Sequence, residues 1–363
     1  MNIALNHPDL YSALESLRLT CGSGQHPLTA LTGVLIHAQK DHALLCSTDF
    51  HQRLEIQVPA TVNAEGTCLL PLKRLLQAVS SLKDGVAIKS TGSGVQIVSG
   101  TTRLKLKEMT SEDFPAAKEM PDPMKLAVDS AILRQLLRVS FCTGDDAARP
   151  LLRGVCLQST GTDLMAVGTD GKRLALSAWA EAKDFPIFSV ILPEYSVTTL
   201  SKVLPDKGQV TIHLWTNHMK IEGSGINYQT DLIEGTFPDW GQLFPATKRV
   251  PAIFDRQTML DALARVAGAH DGKTRGRVEL TLKPSRIQVR LDGSEEELGE
   301  DEVETEYAGD GRRIRFDLEY LAEGIKASGE GKIEFYPAEA ENRPGLFKGK
   351  DYAYVLATMK AAT

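Results

Sequence analysis

Four consecutive residues, Asp170-Gly171-Lys172-Arg173, place an acid, a glycine and two cations at the end of the strand-like run LMAVGTD. Two kinds of chemistry suit that set. A carboxylate beside a cation can serve in acid–base work, and a glycine followed by basic residues can cradle a phosphate. Neither reading finds companions in the chain. There is no Gly-x-Ser-x-Gly elbow, no HExxH or comparable metal spacing among the eight histidines, and no Cys–His pair that spacing would join. GAHDGKTRG, Gly268–Gly276, approximates a phosphate loop, but only three residues separate Gly268 from Gly272 where the motif needs four. That segment also follows a helical pattern rather than a strand. The acidic run SEEELGEDEVETE, Ser294–Glu306, matches no calcium loop and reads as a solvated hairpin or loop. The residues therefore offer no catalytic site, no metal and no cofactor.

The elements around the tetrad explain it differently. Thr169-Asp170 has an echo in Thr48-Asp49, which ends ALLCSTD, and a weaker one at Asp292, which ends IQVRLD. From Asp49 to Asp170 is 121 residues, and from Asp170 to Asp292 is 122. A strand and helix open each third: NIALNHPDLYSALESL, KLAVDSAILRQLLRV and AIFDRQTMLDALARV. A second strand–helix pair follows each Asp landmark: CLLPLKRLLQAV, VILPEYSVTTLSKVL and IRFDLEYLAEGIKA. DFP at Asp113–Pro115 is answered by TFPDW at Thr236–Trp240. Several landmarks stepping together make a threefold repeat. Only Thr-Asp is shared by the first two copies, so the pair reads as a turn whose short side chains bond local backbone.

Within each third, helical runs space apolar residues three and four apart, as in Ile132, Leu133, Leu136 and Leu137. GVAIKSTGSGVQIVSG and GQVTIHLWTNHMKIEGSG alternate apolar and polar residues, the pattern of antiparallel hairpins with one wet face. The expectation is an α+β chain of three repeated domains, each with two helices on curved antiparallel sheets. Prolines and charge in MPDPMK and PATKRVP set the boundaries at 1–121, 122–247 and 248–363.

Composition agrees with a globular chain: 42% of the 363 residues are hydrophobic and 24% charged. There is no run of about 18 apolar residues to span a membrane. The start, MNIALNHPDL, has neither the basic region nor the apolar core of a signal peptide. Five cysteines without a CxxC pair read as reduced core thiols. These features lead to the expectation of a cytoplasmic protein. The net charge of −6 argues against a generally basic nucleic-acid binder but permits a local basic lining. Lys73, Arg74, Arg134, Arg138, Lys202, Arg265, Lys273 and Arg275 lie on or beside equivalent helices and would build one, if the domains surround a common space.

The threefold repeat, TDGKRLAL in the central third, GTFPDW at its end and the closing YAYVLATMK together resemble the bacterial DNA polymerase III beta subunit, the sliding clamp. The resemblance spans essentially the whole chain. It implies a non-enzymatic processivity factor: a head-to-tail homodimeric ring of six domains, with sheets outside and helices lining a channel for double-stranded DNA. Contact would be sequence-independent, through Lys and Arg to phosphates. It also implies a cleft between domains two and three for short hydrophobic peptides of DNA polymerase, clamp loader and repair proteins. Carried onto this sequence, the cleft comprises Leu152, Thr169, Gly171, Lys172, Arg173, Leu174, Pro238, Gln242, Leu243, Val355, Leu356 and Met359. On that reading Lys172 and Arg173 border the pocket and Leu174 helps floor it. A cytoplasmic, nucleoid-associated location goes with the resemblance. The chain departs from the family pattern at Gln25, at Glu194-Tyr195, at Gln242 and in its tail. A clamp-like peptide platform with weak DNA loading, specialised or carried by a mobile element, is the alternative.

Overall fold

A computed structural model of the chain describes residues 1–22, 27–91, 94–118, 120–180, 185–245, 249–270, 276–291, 299–338, 340 and 343–360. Among the described residues six α-helices form, two in each expected third: α1 His7–Leu17, α2 Leu72–Ser80, α3 Ser130–Leu137, α4 Glu194–Val203, α5 Arg256–Ala267 and α6 Leu318–Ala327. Their starts follow local chemistry. Asn6 caps α1 through the Asp9 amide, Asp255 caps α5 through the Thr258 amide, and Asp317 caps α6 through the Tyr320 amide. Apolar faces turn inward, as with Leu72, Leu75 and Val79 on α2 and Leu318, Leu321 and Ile325 on α6. Among the described residues no helix is long and apolar enough to cross a membrane.

The chain divides into two compact units that cut across the expected thirds. One holds Met1–Arg134 with Tyr195–Leu232, the other Gln135–Glu194 with Ile233–Thr363. The reason is strand pairing across the repeat. In the first unit, the long strand Gln52–Ala64 pairs at one end with Asn2–Leu5 and at the other with Ile226–Asp231. A twelve-stranded sheet results, running from Thr102–Leu106 at one edge to Met124–Asp129 at the other, with Gly33–Gln39, His42–Thr48 and Gly66–Pro71 branching from it. In the second unit, Arg173–Trp179 pairs with Tyr352–Leu356 and joins eight strands into one sheet. A separate four-stranded sheet there has Glu300–Glu304 at one edge and Arg312–Asp317 at the other. The two alternating runs fold as hairpins, Val86–Thr91 with Gly94–Ser99 and Gln209–Leu214 with His218–Gly223. The described part of the acidic run includes the edge strand Glu300–Glu304, so it pairs rather than looping freely. The landmark Asp292, residues 271–275 of GAHDGKTRG and Gln25 lie outside the described residues.

Candidate peptide-binding site

Thr169 and Asp170 spend their side chains on their own turn. The Thr169 hydroxyl donates to the Arg173 carbonyl at 2.7 Å and accepts from the Gly171 amide at 3.1 Å. Asp170 Oδ1 accepts the amides of Lys172 and Arg173 at 2.8 and 3.0 Å, and Oδ2 accepts Arg173 Nε at 3.0 Å. The loop after Thr48 repeats this bond for bond. Thr48 donates to the Gln52 carbonyl at 2.6 Å, Asp49 Oδ1 accepts the His51 and Gln52 amides, and Asp49 Oδ2 accepts Gln52 Nε2. Both loops need one residue at positive φ: Gly171 at 88° and Phe50 at 78°. Glycine takes that conformation without strain, and Phe50 takes it against its side chain's preference. A carboxylate already holding two amides and a guanidinium is an orienting group rather than a reacting one.

Arg173 was expected at the pocket border, but it is 9% exposed and turned inward. Its guanidinium donates to the Phe141 carbonyl at 2.7 Å, ion-pairs with Glu323 of α6, and lies 3.8 Å from the centre of the Tyr320 ring. Burial works against the charge, but the Glu323 carboxylate raises its pKa above the ordinary arginine value. Glu323, Tyr320 and Phe141 were not foreseen, because their link to Arg173 is made in space. The repeat held one signal. Gln52, the counterpart of Arg173, accepts Thr199 Oγ1 at 2.9 Å, and Thr199 and Glu323 are each the sixth residue of their helices. The last residue of each Thr-Asp turn thus fastens the second helix of the next repeat.

Beside this turn lies an apolar cluster of Cys156, Val167, Leu174, Ile191, Phe237, Leu346 and Val355. Leu174 is 2% and Val355 6% exposed, and the two face each other across paired strands. Both are covered by their neighbours. Leu152, Trp240, Phe244 and Tyr336 pack on the cluster and remain partly accessible. Lys172 and Pro238 are exposed, and Leu243 is 51% exposed. Gln242 and Leu243 line a cavity of about 250 Å³ with Phe244, Tyr336 and Arg343. The tail turns away after Leu356: the Ala357 amide donates to the Lys172 carbonyl at 3.0 Å and the Met359 amide to the Arg315 carbonyl at 2.8 Å. Met359 lines a second cavity, of about 390 Å³, with Arg312, Arg313, Arg315 and Lys360. Burial pushes the thiols of Cys46 and Cys68 up to about 12 and that of Cys156 upward, so these cysteines are packing residues rather than nucleophiles.

The basic residues divide by environment. Lys73 and Arg74 on α2, Lys202 on α4 and Arg265 on α5 are exposed, Arg265 with an ion pair to Asp301. Arg134 is held by Asp206 and the Leu204 carbonyl. Arg138 lies just beyond α3, which ends at Leu137, and opens a 3-10 turn. Its guanidinium donates to Ser177 Oγ and to the carbonyls of Ser328, Lys350 and Asp351, and stacks 4.9 Å from the Tyr352 ring centre. Burial lowers its pKa from the ordinary arginine value. Lys273 and Arg275 lie outside the described residues.

The conspicuous polar residues of this repeated scaffold hold turns and seams beside an apolar cluster, an arrangement suited to binding. Comparison with known proteins gives the family. The models of the N-terminal, central and C-terminal domains of the DNA polymerase III beta subunit match residues 1–118, 127–239 and 241–354. The beta sliding clamp of Pseudomonas putida is 29% identical over 359 residues, covering 96% of this chain and 97% of its own. That of Pseudomonas aeruginosa is 27% identical with the same coverage. Among solved structures, the P. aeruginosa clamp bound to griselimycin has a TM-score of 0.89 at 26% identity, covering 99% of each chain. The Bacillus subtilis clamp, at 20% identity and a TM-score of 0.89, covers all of both chains and shows the shared fold. The chain belongs to the DNA polymerase III beta subunit family, the sliding clamps, which are non-catalytic processivity factors of DNA polymerase.

Proposed function

We propose that two copies close head to tail into a ring that encircles double-stranded DNA without reading its sequence. The ring tethers DNA polymerase, clamp loader and repair proteins by short hydrophobic peptides. One observation carries the ring. Each junction within the chain pairs the last strand of one half-repeat with the last strand of another: Gln52–Ala64 with Ile226–Asp231, and Arg173–Trp179 with Tyr352–Leu356. The same rule leaves two strands over, Thr102–Leu106 and Glu300–Glu304, and both are sheet edges. Their sequences are TRLKL and EDEVE, so a second copy would meet basic residues with acidic ones across an antiparallel pair. Pairing them also covers two edges that would otherwise invite aggregation.

Lys73, Arg74, Lys202 and Arg265 are exposed cations suited to loose phosphate contacts, and we assign them, with Lys273 and Arg275, to the DNA-facing set. Arg134 and Arg138 are kept in that set for charge alone, since Asp206 and backbone carbonyls already hold their guanidinium groups. The peptide site takes the apolar floor of Leu174 and Val355, the partly accessible Leu152, the turn Thr169–Arg173, and the rim of Pro238, Gln242, Leu243 and Met359, with Leu356 buried next to Val355 on its strand. Burying a leucine or phenylalanine anchor is worth about 1.5–3 kcal/mol, so three or four anchors reach the roughly 8 kcal/mol of micromolar binding. Domain boundaries at 1–121, 122–247 and 248–363 and a cytoplasmic, nucleoid-associated location complete the reading. DNA retention tests it: loaded protein should stay on a closed circle and run off once the circle is cut. Protein that binds a hydrophobic peptide yet is never retained on the circle would leave a peptide platform instead.

A further inference from the structure

The peptide floor has a polar twin in the first unit. Counting from the two Thr-Asp turns, Arg53 occupies the place of Leu174 and Glu55 that of Leu176. Across the paired strands, Gln229 faces Arg53 as Val355 faces Leu174, and Asn227 faces Glu55 as Ala353 faces Leu176. The layer beneath is the same in kind. Leu35, Cys46, Leu69 and Phe114 pack together where the second unit has Cys156, Val167, Ile191 and Phe237. The isolated bridge Leu69–Met109 matches Ile191–Ile233. The turns, the apolar layer and the strand register are thus all repeated, and the covering side chains differ.

We infer that this first junction is a second copy of the peptide cleft, filled by the Arg53 side chain, and that Arg53 with Glu55 restricts each chain to one peptide site. The inference rests on the peptide-site reading of the second junction. Arg53 lies across the floor: its guanidinium is 5.6 Å from the centre of the Phe114 ring. Nη1 donates to the carbonyl of Pro115, the counterpart of the rim residue Pro238, at 2.8 Å. Nε donates to Glu55 at 2.8 Å, and Glu55 also accepts Asn227 Nδ2 at 3.0 Å. Both side chains of the pair are nearly buried, at 13% and 14% exposure. An aliphatic anchor entering here would have to displace a guanidinium from a carbonyl, a carboxylate and an aromatic face. At the second junction the same position already presents hydrocarbon.

The test counts peptides. The probe is a fluorescein-labelled synthetic peptide with leucine and phenylalanine anchors, titrated into full-length protein and read by anisotropy and calorimetric stoichiometry. Wild type should take one peptide per chain. The double variant Arg53→Leu/Glu55→Leu removes both members of the ion pair, a change that folds tolerate far better than loss of one partner. It should take two per chain, and its second site should survive Leu243→Ala/Met359→Ala, which weakens the first. A double variant with wild-type circular dichroism that still takes one peptide, lost in that background, overturns the inference. Wild type taking none would overturn the peptide-site reading and this inference with it. Wild type taking two would overturn the filling role of Arg53 while leaving the cleft reading standing. If the double variant does not fold, Arg53→Met/Glu55→Gln is the second variant, judged by the same count.

Discussion

Arg173 shows how one side chain can look catalytic and be structural. It stands two residues after a glycine and three after an acid, and both neighbours belong to the turn that aims it. The guanidinium then meets Asp170, Glu323, the Phe141 carbonyl and the Tyr320 ring with almost no exposure to water. Replacing it by Met would leave Asp170, itself mostly buried, without its cation. The expected loss is about 3 kcal/mol of unfolding free energy, since breaking a buried pair leaves an uncompensated charge. Arg173→Lys should keep part of the charge interaction and lose the forked bonding. Urea titration measures both, and an Arg173→Met midpoint equal to wild type would mean the pair contributes nothing. The turn was legible in the sequence because it closes within five residues. The fastening of α6 was not, because Glu323 lies 150 residues from Arg173 and only folding joins them. The same limit applies to Arg138, whose carbonyl partners around Lys350 and Asp351 carry no sequence mark. Leu174 was legible as a buried apolar strand residue. Its polar twin Arg53 was hidden because Phe50-His51 and Gly171-Lys172 make the two loops look unrelated.

At the scale of elements, strands end in polar clusters that fix how repeats join. Asp231 ends the strand that pairs with Gln52–Ala64, and it accepts from His51 at 3.3 Å, His218 at 3.2 Å and Lys118 at 3.4 Å. Its burial alone would raise its pKa, but Lys118 and the two imidazoles bring the net value below the ordinary aspartate range. His218 moves the other way for a base. Burial beside the Trp215 ring lowers its pKa below 6.5, and the contact with Asp231 only partly offsets this. The folded protein therefore favours neutral His218, while the unfolded chain takes up a proton as pH falls through about 6.5. Stability should decline on acidification from about pH 7 toward pH 5, a window well above the one in which Asp231 titrates. His218→Gln keeps a donor for Asp231 and removes the titration, so its denaturation midpoint should fall less over the same window. Parallel pH profiles for the two proteins would assign the decline elsewhere. Helices and hairpins such as these were readable from period and turn residues, because both are local. The joining of thirds into continuous sheets was not, because hydrophobic alternation marks a strand without naming its partner.

For the whole molecule, charge placement matters more than the net value of −6. Neutralising Lys73, Arg74 and Lys202 together should weaken association with linear duplex and flatten its log–log salt dependence by up to about 0.9 per lost phosphate contact. An unchanged slope would mean these helices do not face DNA. Ring closure asks for opposite charge at the two leftover edges. The basic edge carries Arg103 and Lys105, while the acidic edge carries Glu300, Asp301, Glu302 and Glu304. Three of those acids already have partners within the chain, Asp301 with Arg265, Glu302 with Arg286 and Glu300 with Gln288, so they are shared rather than idle. Cross-strand pairs contribute roughly 0.2–1 kcal/mol each, whereas like charges directly opposite destabilise. Reversing only one edge, with Arg103→Glu/Lys105→Glu, should shift light-scattering mass from two chains toward one on dilution. Placing lysines on the other edge as well, with Glu300→Lys/Glu304→Lys, should recover the dimer in part, because two cations there then face the two introduced carboxylates while Asp301 and Glu302 keep their own partners. A monomer produced by the first pair and not recovered by the second would show that these strands do not meet. A dimer indifferent to both would place closure elsewhere on the chain, and the edge-pairing rule drawn from the two internal junctions would stop at the second.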